Sequence, residues 1–194
     1  MEKLRHEDLM TLEEYAKKRA DFRVQVMGHK KSRQVFLNEH ATLYFEDRLT
    51  MQYQIQEMLR IEKIFEEKGI QDELDAYNPL IPDGSNLKAT FMIEYVDVDE
   101  RKVALEKLIG VEDKVWVQVD GNDKVYAIAD EDLDREERGK TSSVHFMRFE
   151  FSPQMIEAVK SGAEMSMGVE HENMNITQNP IPADVRQALI ADFS

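Results

Sequence analysis

The 194-residue chain contains no cysteine. Disulfides, thiolate nucleophiles, cysteine-ligated zinc and the usual iron–sulfur clusters are therefore excluded within it. Tryptophan occurs once, proline five times and glycine eight times, so helix and strand breakers are sparse. Positive charge is in the minority. Against 39 Asp and Glu stand 25 Lys and Arg, a formal net charge of −14, which disfavours nonspecific attraction to nucleic acid or to an anionic membrane. No apolar run approaches the roughly 20 residues that span a bilayer. The opening MEKLRHEDLMTLEEYAKK is too charged for a secretory signal, and a cytoplasmic location is the expectation.

What is present reads as one α+β unit over residues 1–194. Leu9, Leu12, Tyr15, Ala16, Phe22 and Val26 recur at near-helical spacing, which predicts a first helix to about Lys30. Gln34 to Leu37 suits a short strand. NEHATLYFEDRLTMQYQIQEMLRIEKIFEEKG then runs without a breaker to Gly69. Strands are usually about 3–10 residues long, so this run predicts a single long central helix. The helical part thus extends to about residue 77. LKATFMIEYV, KVWVQVDGNDKVYAIAD, SSVHFMRFEF and AEMSMGVEH alternate or carry turn signals as strands do, Asp120-Gly121 marking a hairpin. They predict an antiparallel-rich mixed sheet with packed helices over about 87–171. ADVRQALIADF gives a C-terminal helical tail over about 183–193, and DEDLDREERGK an exposed acidic connection.

The stretches HATLYFEDRLTMQYQIQEMLRIEKIFEEKGIQDELDAYNPLIPDGSNLKATFMIEY and KTSSVHFMRFEF resemble a bacterial family catalogued as domain of unknown function 3501. The likeness runs from HEDLMTLEEYAKKRADFR to MGVEHEN, nearly the whole chain. It brings no settled activity and no catalytic residues. It does imply a gene setting beside a rubrerythrin-like protein and an iron–sulfur oxidoreductase, and hence redox metabolism or oxidative-stress defence, with those two proteins as partners. The chain is neither neighbour: it lacks cysteine, and none of its five histidines follows a Glu by three residues, as ferritin-like di-iron bundles require.

Three constellations are candidates for function. His29, Lys30, Lys31 and Arg33 form a locally basic end of the first helix, suited to an anion or an acidic partner, or to stabilising the helix terminus. Asp47 and Gln54 are polar residues predicted on the apolar face of the long helix and Glu62 near it, as buried polar candidates, with Glu46, Thr50 and Glu57 on another strip. They could perform proton transfer, form ordinary internal pairs, or fix the register of a homodimer. His145 and His171, with Glu170, would approach one another if their strands were adjacent and could then hold a single metal ion; the alternative is a methionine-rich core with histidines at strand ends. The loop NPLIPDGSN is stiffened by Pro79 and Pro82. GKTS at Gly139 to Ser142 is not a phosphate-binding loop, because Asp134 stands where the first glycine is needed.

Three readings follow. The leading one is an accessory or binding protein in a redox pathway; the others are a metal-dependent enzyme with a His/carboxylate site and a homodimeric structural module.

Overall fold

Thr11 fixes the start of the first helix. Its hydroxyl accepts from the amide of Glu14, and the Glu14 carboxylate accepts in return from the amide of Thr11, so two donors that helix geometry leaves orphaned are satisfied. The helix, α1, spans Leu12–Lys31 but buries only Tyr15 and Val26. The computed structural model describes residues 2–131 and 139–194. After α1 come β1 (Gln34–Phe36), β2 (Ala41–Glu46), α2 (Arg48–Glu62), α3 (Glu67–Tyr77) and β3 (Asn86–Ile93). The chain continues as α4 (Val98–Lys107), β4 (Val115–Val119), β5 (Lys124–Tyr126), β6 (Ile128–Ala129) and β7 (Val144–Glu150), and then α5 (Pro153–Lys160), β8 (Met165–His171), β9 (Met174–Gln178) and α6 (Ala183–Ile190).

The α+β class holds, whereas the single long helix from Asn38 to Gly69 does not. TMQYQIQEM is helical, within α2, but Ala41–Glu46 before it is a strand paired on both sides. Asp47 alone turns strand into helix. Its Oδ1 accepts from the amide of Thr50, and its own amide donates to the Thr50 hydroxyl. The helix stops at Lys63, in the left-handed conformation at φ 57°, and not at Gly69, which lies inside α3.

Among the described residues all strand pairings are antiparallel, in two sheets ordered β1-β2-β3-β7-β6 and β5-β4-β8-β9. Residues of alternate parity point to opposite faces of a strand. Leu43, Phe45, Leu87, Ala89, Phe91, Met147 and Phe149 from the first sheet therefore meet Val115, Val117, Val119, Met165, Met167 and Val169 from the second in one buried core, closed by α5 and α6. A smaller core of Leu4, Met51, Ile55, Leu59, Leu74 and Ile81 joins α2 and α3 to the N-terminal segment. Gln56, with no exposed area, ties that segment down by accepting from the amide of Met10 and donating to its carbonyl.

On the far side of the second sheet Trp116 lies flat against Gly168. A Cβ at Gly168 would fall 2.6 Å from Cζ2 of the indole and closer still to the carbonyl of Ile176, so only glycine fits. Lys124 caps the ring at 4.0 Å from its centroid. Among the described residues no helix is long and apolar enough to cross a membrane. The acidic connection predicted over Asp130 to Lys140 falls largely at 132–138, outside the described residues.

Candidate functional site

The basic end of α1 does receive a carboxylate, but an internal one. Arg33 is 3% exposed, and its guanidinium donates to the carbonyls of Phe45, Glu46 and Ala188 and, at 2.5 Å, to Asp192 Oδ2 near the other end of the chain. Asp47 Oδ2 lies 3.5 Å from its Nε and 2.5 Å from Nε2 of His29. Two of the four residues predicted for an outside anion are thus spent on holding the end of α1, β2, the start of α2 and α6 together. Half-buried Lys30 and exposed Lys31 remain at the surface. Burial pushes the Asp192 carboxyl up to about 6, the opposing pull of Arg33 being the smaller effect.

Of the predicted buried polar set only Asp47 is buried. Gln54 is half-buried and Glu62 exposed, because the inward side of α2 is set by Met51, Ile55 and Leu59, while Ile61 and Phe65 farther along are exposed. Gln56 takes the buried place instead. Glu57 is clamped between helices: Arg19 donates to both of its oxygens at 2.7 and 2.9 Å, and the Tyr15 hydroxyl and Arg60 donate as well. The guanidinium of Arg19, with help from Tyr15 and Arg60, holds the carboxyl down at about 2.

The proposed metal set is dispersed. His145 is on β7 of the first sheet and His171 on β8 of the second, so their strands are not adjacent. Both rings are already engaged. His145, fully buried, has Nδ1 2.5 Å from Asp130 Oδ2 and Nε2 at 3.0 and 3.1 Å from the Ser142 carbonyl and the Thr141 hydroxyl; that hydroxyl in turn donates to Glu112 at 3.2 Å. His171 donates from Nε2 to the carbonyl of Ile109 and accepts at Nδ1 from the amide of Asn173. Glu170 points to the opposite face, where the Lys124 ammonium and the Tyr126 hydroxyl, in that order of effect, hold its carboxyl below the usual range. Among the described residues no three His, Asp or Glu side chains are grouped as metal ligands.

A different place has the makings of a binding site. Between α3 with the Pro79–Leu80 segment and the outer face of the first sheet lies a cleft of about 310 Å³, lined by Asp75, Ala76, Pro79, Leu80, Lys88, Glu131, Phe146, Met147 and Arg148. That volume is at the lower end of the roughly 300–1,000 Å³ typical of ligand pockets. The walls are set by register. Lys88 on β3 lies directly across from Arg148 on β7 and from Glu46 on β2. Strand alternation sends Lys88, Phe146 and Arg148 away from the main core and toward the helices.

The two cations of this cleft differ in what they have to do. Arg148 is paired twice, with Nε and Nη2 on Glu131 at 2.9 and 2.8 Å and Nη1 on Glu150 at 2.7 Å. Half-buried Lys88 has neither a hydrogen-bond acceptor nor an ion-pair partner among the described residues. Burial, reinforced by the charge of Arg148, pushes its ammonium below the ordinary lysine range; Glu131 opposes this more weakly. The nearby Lys3 is also shifted down by burial, but its Nζ is occupied by the carbonyl of Ile81 at 2.7 Å. The sequence drew attention to the proline-stiffened loop but not to Lys88, whose only sequence signal is a cation at an alternate position of an otherwise apolar strand.

A family model described as protein of unknown function (DUF3501) matches residues 3–193. The chain is 50% identical to a protein of unknown function from Burkholderia pseudomallei whose crystal structure is solved; the two superpose with a TM-score of 0.95 over 100% of each chain. No curated protein matches it.

Proposed function

Since the chain belongs to the DUF3501 family, whose description assigns no function, we propose from its geometry that it is a binding protein that holds a small, largely apolar molecule by one hydrogen-bond-accepting head in the cleft at Lys88. One observation carries this reading: a half-buried lysine on the wall of a ligand-sized cleft, without an acceptor among the described residues. Partial burial of a cation without a partner is unfavourable, and a ligand that supplies the acceptor relieves it. Leu80, Ala76, Pro79 and Phe146 offer the apolar surface that would take the body of such a molecule. The protein then serves as a cytoplasmic accessory in redox metabolism or oxidative-stress defence, the setting the family resemblance implies, with a rubrerythrin-like protein and an iron–sulfur oxidoreductase as the partners to try.

The test is native mass spectrometry of gently purified protein, followed by calorimetric titration with six-carbon chains bearing an aldehyde, an amide or a carboxylate head. Retained mass or saturable binding, weakened roughly tenfold in a folded Lys88→Met variant, is the expected result. Bare protein that binds none of the three probes overturns it, as does binding that Lys88→Met leaves unchanged.

A further inference from the structure

We propose that the head of the ligand is an aldehyde carbonyl and that Lys88 condenses with it to an imine. This rests on the binding reading above and names its ligand class.

The charges in the cleft argue for a neutral head. Asp75 and Glu131 already line it, and the charge of Arg148 is already matched by Glu131 and Glu150. A carboxylate ligand would meet one unpaired cation against these acids, whereas a carbonyl meets no repulsion. The same surroundings make the amine available. Nothing among the described residues accepts from Lys88 and so holds its proton, and partial burial favours the neutral form. Its backbone is also fixed, because β3 is paired on both sides at Lys88, with Glu46 and Arg148. Pairing on both sides holds the Cα and the face from which the side chain leaves, so the amine is delivered to this cleft and to no other face of the sheet.

The step balances without an oxidant or reductant. Lys88 gives up a proton to water; its nitrogen lone pair then forms a C–N bond to the carbonyl carbon while the carbonyl oxygen takes a proton. The resulting carbinolamine loses its hydroxyl, with a proton, as water, and leaves a protonated C=N on Lys88. Solvent at the mouth of the cleft, where Asp75 is exposed, is free to pass the protons. Glu131 is not, being held bidentately by Arg148. The apolar walls restrict water and so slow the return hydrolysis. An aldehyde suits better than a ketone because a single substituent need fit beneath Leu80 and Phe146.

The experiment is incubation of the full chain with hexanal and sodium cyanoborohydride, which fixes any imine as a stable secondary amine, followed by intact mass and peptide mapping. The expected result is one adduct at Lys88 forming roughly tenfold faster than at Lys3 or the surface lysines. In a Lys88→Arg variant that adduct is lost while slow labelling elsewhere persists. Adducts spread over the lysines, with Lys88 no faster than the rest, overturn the imine. Saturable calorimetric binding of hexanal and of the amide without an adduct at Lys88 also overturns the imine yet leaves the binding reading standing. Absence of any binding removes both. Wild-type labelling alone decides the matter if Lys88→Arg fails to fold.

Discussion

Replacing Arg33 with methionine keeps much of the side-chain volume and removes the guanidinium that five acceptor groups surround. Three of those groups are carbonyls, of Phe45, Glu46 and Ala188; the others are the carboxylates of Asp192 at 2.5 Å and Asp47 at 3.5 Å. Asp192 is 3% exposed, so water cannot take over. Breaking a buried ion pair by removing one partner costs about 3–5 kcal/mol, at least about a fifth of the roughly 5–15 kcal/mol by which a domain is stable. Adding Asp192→Leu removes the stranded charge as well, and the double variant should recover part of the loss. Urea unfolding at pH 7, followed by the fluorescence of the buried Trp116, measures all three variants. A loss below about 1 kcal/mol for Arg33→Met, or a double variant that costs the sum of the two singles, would refute the reasoning.

The acidity of Asp192 gives this cluster a pH dependence with a definite sign. Its carboxyl is at about 6 in the fold against an ordinary 3.8, so the fold binds that proton more tightly than the unfolded chain. The associated stabilisation is complete below pH 3.8 and is lost as pH rises through about 6; relative to Asp192→Asn, the wild type should lose up to on the order of 3 kcal/mol over that interval.

Glu57 behaves in the opposite sense. Held at about 2 against an ordinary 4.5, it contributes stability that is complete above pH 4.5 and lost as pH falls through about 2. The advantage of the wild type over Glu57→Gln in urea unfolding should therefore vanish on acidification, and an advantage unchanged across that range would count against the clamp. Gly168→Ala forces a methyl group into the Trp116 ring and the Ile176 carbonyl. Overpacking of this kind costs about 1–3 kcal/mol, with a shifted Trp116 emission; a melting temperature equal to wild type would show that the sheet has room there.

The elements most legible in the sequence are those with a local signal. α1 declares itself through Thr11 and Glu14, the β4–β5 hairpin through Asp120-Gly121, and α5 through Ser152 and Pro153. β2 was hidden because it is covered on both faces, which erases the alternation that marks a half-buried strand. It also passes into α2 through one aspartate, with no glycine or proline. Asp47 followed by Thr50 is a helix-start signal at that point, and it was the available clue. Separation of His145 from His171 was not legible, since strand order is set by pairing distant in sequence and either neighbour preserves the alternation. The Lys88 cleft escaped for a similar reason: it is made by α3 and two strands that approach only in the folded chain.

Asp47 shows how little freedom such a junction leaves. One carboxylate oxygen starts α2 by accepting from Thr50, while the other faces His29 and Arg33. Asparagine would preserve the first and turn a neutral amide toward Arg33. Glutamate would preserve the charge and displace it by a methylene from the helix end; serine and threonine bring one oxygen where two are in use. At this position the ordinary notion of a conservative replacement has no member.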